Sequence, residues 1–467
     1  MAPAPWESVP ARDTLFVLVT GANSGIGFGI GQRLIDEYLT TRSLSAHLVL
    51  IVTTRSTKKS QETVNGLRQH AKAFAATSTA LQSRVGPDYD PDRHATNRIH
   101  VLSVELDLCN LSTIRRAADL LVDGTLSSPC RGDDAAHFEP LINVKIPRLD
   151  SVIFNAGVGG WTGIAWSLVA QNILTKGLVQ AVTWPTFKAA TAGHVVNPLP
   201  DAPTKDTPKV GEVFCANVLG HYIFAHLLQR LLSRPQQSTT ADNEPPLPPG
   251  RIIWESSIEP CWDNLSLDDF QGIRTNAAYE STKRLTDVLA LSASLPAPKP
   301  SVTSYLTTTS AKGVIPPKIY LVHPGVVQTT LFPLNAFMFF WYRIVLYVAR
   351  WLGSPWHPIT AYNGACAPVW LVLQEQTALD AARAERVKWG SGTDRRGECR
   401  VLKTEVEGWG WDGEVVPEGY KSKRKASGRK KGAVELTRER REEFEAVGAE
   451  CWRKMEELRG EWEGRIV

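Results

Sequence analysis

The sequence predicts a doubly wound α/β fold, a parallel sheet with helices on both faces, on three observations. Apolar runs of strand length recur along the chain, such as "TLFVLVT" (residues 14–20), "HLVLIVTT" (47–54) and "KIYLVHPG" (318–325). These runs are apolar throughout rather than alternating, the pattern of strands covered on both faces. Stretches of helical spacing, including "IGQRLIDEYL" (30–39), "NLSTIRRAADLL" (110–121) and "GEVFCANVLGHYIFAHLLQRLL" (211–232), lie between the runs. That alternation supplies the crossovers that parallel strands require.

The first strand starts at Thr14, after "MAPAPWESVPARD", which has neither the basic region nor the apolar core of a secretory signal. It leads into "TGANSGIG", residues 20–27, a glycine-rich turn that opens a helix. Glycines let the backbone turn tightly and approach a pyrophosphate, whose charge is favoured at a helix N-terminus. Standing strand-to-helix at the head of a βαβ pattern, the turn points to a dinucleotide. The second strand ends in "VTTRSTKK", with Arg55 and no acid before Glu62. A basic residue there suits the 2′-phosphate of NADP, and an acid would suit the 2′-hydroxyl of NAD. The bland alternative for Arg55 is a surface arginine.

Further strands are expected at 99–106, 149–157, 250–257 and 318–325, within a catalytic domain spanning residues 10–330. Four stretches fall outside the regular frame, at about 74–97, 123–148, 159–210 and 233–250. The last is proline-rich and polar, a surface loop. The third contains "WTGIAWSLVAQNILTKGLVQAVTW", which reads as a wall or lid over a greasy ligand. Residues 331–352, "LFPLNAFMFFWYRIVLYVARWL", are nearly long enough to span a bilayer, which takes about 20 residues. Arg343 would then sit near the bilayer centre, and Arg350, seven residues on, shares its side of the helix. A helix lying in the membrane interface is therefore preferred, ahead of a buried substrate or oligomer helix and of a true span. Residues 353–400 are read as the end of the domain. The charged extension 401–467 includes a helix with few apolar positions, held by i,i+4 pairs if it docks at all.

Composition bounds the function classes. Among 467 residues, 43% are hydrophobic and 21% charged, a globular balance. The net charge of +4 is too mild to imply a nucleic-acid partner, and its one basic run, "KSKRKASGRKK" (421–431), has no groove-reading motif beside it. That run reads as a solvated or membrane-facing patch. Seven scattered cysteines with no C-x-x-C spacing favour reduced thiols over disulfides or zinc, and His221 and His226, five apart, suit packing better than metal ligation. No metal is expected.

The chemistry centres on "YESTKRL", residues 279–285. Tyr279 and Lys283 share one helix face at i,i+4. By chance such a pair is an ordinary solvated face. As chemistry, hydride transfer to a ketone builds negative charge on oxygen and needs a proton donor, and a nearby ammonium favours the phenolate of a tyrosine whose ordinary pKa is about 10.

Four motifs in order, "TGANSGIG", "NAG" (Asn155–Gly157), a serine after a strand at Ser257, and "YESTK", resemble the short-chain dehydrogenase/reductases over roughly residues 15–331. The resemblance implies a Rossmann-type domain with four catalytic residues. Tyr279 would give the proton, Ser257 would bond the carbonyl, Lys283 would hold the nicotinamide ribose, and Asn217 would order a relay water. On the cofactor it places Gly21, Asn23, Ser24, Gly25, Ile26 and Gly27, then Asn155, Ala156 and Gly157, and Pro324, Gly325 and Thr329, besides Tyr279 and Lys283. Arg55 would take the 2′-phosphate and Asp107 the adenine, where a loop or capping carboxylate is the alternative. Tyr279 follows Ser257 by 22 residues against the family's usual dozen, so "DNLSLDDFQG" must loop out, and Ser256 is an adjacent rival to Ser257.

Within that family, "GWTGIAW", "RIIWESS", "YESTKRLTDVLAL" and "LVHPGVVQTTLF" look like the fungal 3-keto-steroid reductases of sterol C-4 demethylation. This implies NADPH-dependent reduction of a 3-keto sterol to the 3-hydroxy sterol. It also implies a place at the cytoplasmic face of the endoplasmic reticulum membrane or on a lipid droplet, beside other demethylation enzymes. The rivals are a reductase of another lipophilic ketone, such as a retinoid, acyl or secondary-metabolite carbonyl, and a non-catalytic dinucleotide-binding scaffold.

Overall fold

The computed structural model describes residues 3–129, 140–201, 207–236, 246–307, 313–329, 334–417 and 428–466. Parts of the expected insertions, residues 331–333 of the apolar stretch and residues 421–427 of the basic run lie outside the described residues.

The strands are β1 (Thr14–Val19), β2 (His47–Thr54), β3 (Ile99–Glu105), β4 (Ser151–Phe154), β5 (Arg251–Glu255), β6 (Lys318–His323), β7 (Lys388–Thr393) and β8 (Cys399–Thr404). They form one sheet in the order β3-β2-β1-β4-β5-β6-β7-β8. Every neighbouring pair is parallel except β7 and β8. The order reverses between β1 and β4, and the crevice outside the strand ends at such a reversal is where open α/β sheets bind ligands. Strand β7 escapes a search for apolar runs because its buried positions include Lys388, Ser391 and Thr393, each held by a hydrogen bond, and β8 because Thr404 is its one buried residue.

Side chains alternate across the strands, so the sheet buries two apolar layers. Phe16, Leu18, Ile252 and Trp254 face one layer. It is completed by α3 (Leu111–Val122), by a helical stretch α6 running through Glu212–Phe214, Cys215–Leu219 and Gly220–Leu227, and by α7 (Ala278–Ser292). Val17, Val19 and Ile253 face the other layer, beneath α1 (Gly25–Thr41), α2 (Thr57–Thr77) and α9 (Cys366–Leu373). The doubly wound architecture expected from the sequence is the one observed.

Residues 74–97 are largely helical: they finish α2 and continue into Thr79–Val85, burying Ala75 and Leu81. In the stretch 159–210, Trp161–Ile164 pairs with Lys188–Ala190 around two helices, α4 (Trp166–Lys176) and α5 (Leu178–Thr183). The apolar stretch forms α8 (Ala336–Trp351), which buries Leu346, Ala349 and Arg350. No helix among the described residues is long and apolar enough to cross a membrane.

The charged C-terminal helix α10 (Arg438–Glu463) docks firmly. Phe444, Gly448, Trp452, Met455 and Trp462 make one buried stripe against α7, and the Trp452 indole donates to the Leu289 carbonyl at 3.0 Å. Arg453 forms an i,i+4 pair with Glu457 on its outer side, and Arg459 forms another with Glu463 at the half-buried flank. The helix therefore has more apolar anchors than its mean polarity suggests, because four or five large side chains at helical spacing suffice.

Candidate active site

The glycine turn is shaped by close approach. Gly21 has φ +66°, and a Cβ there would lie 2.9 Å from Ala156. A Cβ on Gly27 would meet the Gly21 carbonyl at 2.4 Å and Asn155 Nδ2 at 2.5 Å. The start of α1 has no side-chain cap and no acid in its first turn, so its N–H groups are open to an anion. Asn155 holds the turn: its Nδ2 donates to the Thr20 carbonyl at 2.9 Å, and its backbone N–H donates to Thr20 Oγ1 at 3.0 Å. Beneath them His221 joins Thr20 Oγ1 (2.9 Å) to the Asn217 carbonyl (3.3 Å), and burial lowers its pKa to about 3, so the ring is neutral. Thr329 lies over Gly25 from the segment after β6, where Gly325 turns with φ +71°. Gly157 and Pro324 border the same strand ends. Arg55 stands exposed past the end of β2. Asp107 sits at the neighbouring β3 end, where its Oδ1 accepts from the Cys109 N–H at 2.9 Å in a local turn.

The proton-transfer side converges on Tyr279. Ser257 stands close enough to Tyr279 to favour its ionised form, and Lys283 Nζ lies 5.7 Å from the centre of the phenol ring. Ser256, the rival, is engaged elsewhere: its Oγ donates to Asp287 Oδ1 at 2.6 Å, and Lys388 Nζ pairs with Asp287 Oδ2 at 2.6 Å. That buried chain ties α7 to β5 and β7 behind the site. Asn217 occupies a π-helical turn of α6, a distortion common at functional sites. Its side chain accepts from the Val158 N–H at 2.8 Å and donates to the Val158 carbonyl at 3.0 Å and to Thr282 Oγ1 at 3.2 Å. All four residues expected to be catalytic thus lie around one crevice, between β4, α6 and α7.

The electrostatics differ from the simple lysine argument. Burial pushes the Tyr279 phenol above its ordinary pKa, Glu259, Glu280 and Glu255 add to the rise, and the nearby Ser257 hydroxyl opposes it. Lys283 does not dominate, because its Nζ donates to the Glu255 carbonyl at 2.7 Å. Burial lowers the Lys283 pKa to about 8, partly offset by Glu255 and Asp287. The Glu255 carboxyl is 5% exposed with both oxygens lacking a hydrogen-bond partner among the described residues, and burial raises its pKa to about 8 against the pull of Lys283.

His221, read as a packing residue, is indeed buried, whereas sequence reasoning missed this glutamate and the Asp287–Lys388 pair. The available signal was a charge at the inner end of an apolar strand, in "RIIWESS". The stretch read as a wall or lid does reach the mouth of the site, where Trp161 packs edge-on against Tyr279 at 4.6 Å and Lys188, paired with Glu259, caps the Trp161 ring at 3.9 Å. Beside them opens a cavity of about 300 Å³ lined by Val158, Trp161, His194, Val213 and Ala278. The looped-out insertion before Tyr279 braces its wall, where Gln271 Oε1 accepts from the Gly211 N–H at 3.0 Å.

No family model matches the chain. Among curated proteins it is 48% identical to the 3-keto-steroid reductase ERG27 of Gibberella zeae, over 99% of this chain and 97% of that protein. It is 40% identical to the 3-keto-steroid reductase erg27 of Aspergillus fumigatus, over 96% of this chain and 94% of that protein. The identity to the Saccharomyces cerevisiae 3-keto-steroid reductase ERG27 is 28%, over 84% of this chain and 89% of that protein. Among solved structures, a 3-oxoacyl-[acyl-carrier protein] reductase from Brucella melitensis matches with TM-score 0.36 at 15% identity, covering 77% of this chain and 89% of that one.

Proposed function

The chain belongs to the fungal 3-keto-steroid reductases, within the short-chain dehydrogenase/reductases, and from that membership we propose that it reduces a 3-keto sterol to the 3-hydroxy sterol with NADPH, in the C-4 demethylation of ergosterol biosynthesis. The observation that carries the reading is the meeting of Ser257, Tyr279 and Lys283 beside a cavity whose wall mixes Val158, Trp161, Val213 and Ala278 with His194, Glu212 and Gln271.

The residues present fit a nicotinamide dinucleotide. The close-packed glycine turn and the uncapped start of α1 offer a pyrophosphate backbone N–H groups and the positive end of a helix dipole. Gly21 to Gly27, Asn155 to Gly157, Pro324, Gly325 and Thr329 would hold the cofactor, with Asp107 toward the adenine. Arg55, with no acid beside it on its strand, favours NADP. The bound cofactor supplies the hydride.

The chain's own groups handle the oxygen. Ser257 donates a hydrogen bond to the ketone and orients it. Tyr279, kept protonated by burial, delivers its proton as negative charge develops on that oxygen. Lys283 holds positive charge beside the phenol and offers donors to the ribose. Asn217 fixes the backbone at Val158 and the entry for a relay water. A substrate that lives in lipid fits the apolar face of α8, which we assign to the membrane interface of the endoplasmic reticulum or a lipid droplet.

The test is NADPH oxidation with a 4-methyl-3-keto sterol in detergent or vesicles, with Tyr279→Phe as control. Turnover lost in the variant supports the reading. Turnover only with other lipophilic ketones keeps the mechanism and discards the sterol, and cofactor binding with no turnover of any ketone favours a scaffold.

A further inference from the structure

Large apolar side chains stand exposed at sixteen described positions, and nine of them lie on α4, on α8 or at the α8 C-cap, so the exposure is concentrated rather than scattered. On α8 the buried residues Leu346, Ala349 and Arg350 occupy one side. The opposite side carries Phe337, Trp341, Ile344, Val348 and Leu352 at three- and four-residue spacing, with Phe337 72% and Trp341 51% exposed and Ile344 and Val348 half-buried. Helix α4 repeats the arrangement on a smaller scale. Trp166, Ile173 and Leu174 share its outer side, Leu174 at 86% exposure, while Asn172 turns inward. The helices are neighbours: α5 packs against α8 and, across Gly177, against α4. Lys431 reaches over to the Thr175 carbonyl at 3.1 Å.

Charge selects the occupant. Neither residues 161–183 nor residues 334–358 contain an aspartate or glutamate, whereas Lys176 at the end of α4 and Arg343 on the flank of α8 that also carries Arg350 are exposed. A second copy seated on this face would set those cations against their own counterparts. A phospholipid interface would accept the apolar stripes among its acyl chains, the tryptophans at headgroup depth and the cations at its phosphates. The inner side of α8 also borders the mouth of the site, since Tyr342 lies close enough to feel the charge of Glu259, the partner of Lys188 beside Tyr279.

We propose that α4 and α8 form a single two-helix surface that docks the protein on a phospholipid interface, so that the lid over the site is itself a membrane element. This rests on the lipophilic-substrate reading above and adds α4 to it.

The experiment is co-sedimentation of the full chain with phosphatidylcholine vesicles, with and without phosphatidylserine. It compares wild type with Trp166→Ser/Leu174→Ser on α4 and Phe337→Ser/Trp341→Ser on α8, and includes single Leu174→Ser as the mildest variant. Each double variant should bind at least about tenfold more weakly, given the apolar area lost, and the four-site variant should not sediment. Phosphatidylserine should strengthen wild-type binding. Vesicle binding undiminished by the α4 changes overturns the two-helix surface. Binding that never occurs, with a dimer that the same changes dissociate on size exclusion, assigns the face to a second copy. Absence of ketone turnover with vesicle binding intact counts against the reductase reading alone, because sedimentation needs no substrate.

Discussion

Along the crevice, the glycine turn and the Tyr279 cluster are built from different materials. The turn is close-packed: Gly21, Gly27, Thr20 and Asn155 meet at distances that leave no room for a methyl group, and the titratable group hydrogen-bonded to it, His221, is neutral. The Tyr279 cluster is buried charge, with Lys283, Glu255, Asp287 and Lys388 all under 9% exposed. Shape should govern the first region at every pH, and protonation should govern the second. Each region can then be broken without the other.

The largest effect is expected from Tyr279→Phe. Removing the proton donor should cut kcat by about 10²–10⁴-fold while NADPH affinity, read by fluorescence titration, stays near wild type. A comparable loss of cofactor affinity would mean that the two regions are not separable. Gly27→Ala should do the reverse. Its methyl group would overlap the Gly21 carbonyl and the Asn155 amide, so the cofactor Kd should rise by at least ~10-fold, which is about 1.4 kcal/mol, by the same factor from pH 6 to 9. A pH-dependent loss would show that charge enters the turn after all.

Arg55→Ala tests the outer edge of the cofactor region. Losing one charge-assisted contact, worth about 1.5–3 kcal/mol, should lower the NADPH over NADH preference in kcat/KM by roughly ten- to a hundredfold. An unchanged ratio would return Arg55 to the surface.

The same contrast explains what could be read from the sequence. Backbone close approach demands glycine at fixed spacing, so the turn announces itself in "TGANSGIG". Tyr279 and Lys283, whose helical spacing alone is that of an ordinary solvated face, become legible through the order of motifs that precedes them. Glu255, Asp287 and Lys388 come from three elements whose adjacency exists only after β5, α7 and β7 have packed, and nothing local marks them as partners. The two outlying helices were harder still. The apolar α8 leaves its stripe in the open, whereas the charged α10 buries Trp452 and Trp462, because the placement of a few anchors decides docking and the average polarity does not. Helix α10 in turn supports the site. Trp452 holds the Leu289 carbonyl of α7, and Glu456 accepts from the Tyr222 hydroxyl of α6 at 2.8 Å, so one helix braces the carriers of Tyr279 and Asn217.

The smallest and most specific effect should come from Glu255→Gln. Glu255 and Lys283 are each displaced by burial toward their neutral forms, to about 8, the carboxyl upward and the ammonium downward. Apparent pKa values of so close a pair belong to the pair, but the sign for the lysine is clear. Once ionised, the Glu255 carboxylate helps keep the proton on Lys283, and glutamine cannot. Below about pH 7 Glu255 is mostly protonated, so the variant should resemble wild type in kcat/KM and NADPH affinity. Above that range Lys283 should lose its charge earlier in the variant. The alkaline limb of both quantities should then move down by about one pH unit, equivalent to about 1.4 kcal/mol. Equal losses at pH 6.5 and 8.5 would mark Glu255 as a packing residue, and an unmoved limb would mean that Lys283 takes its charge from Asp287 alone.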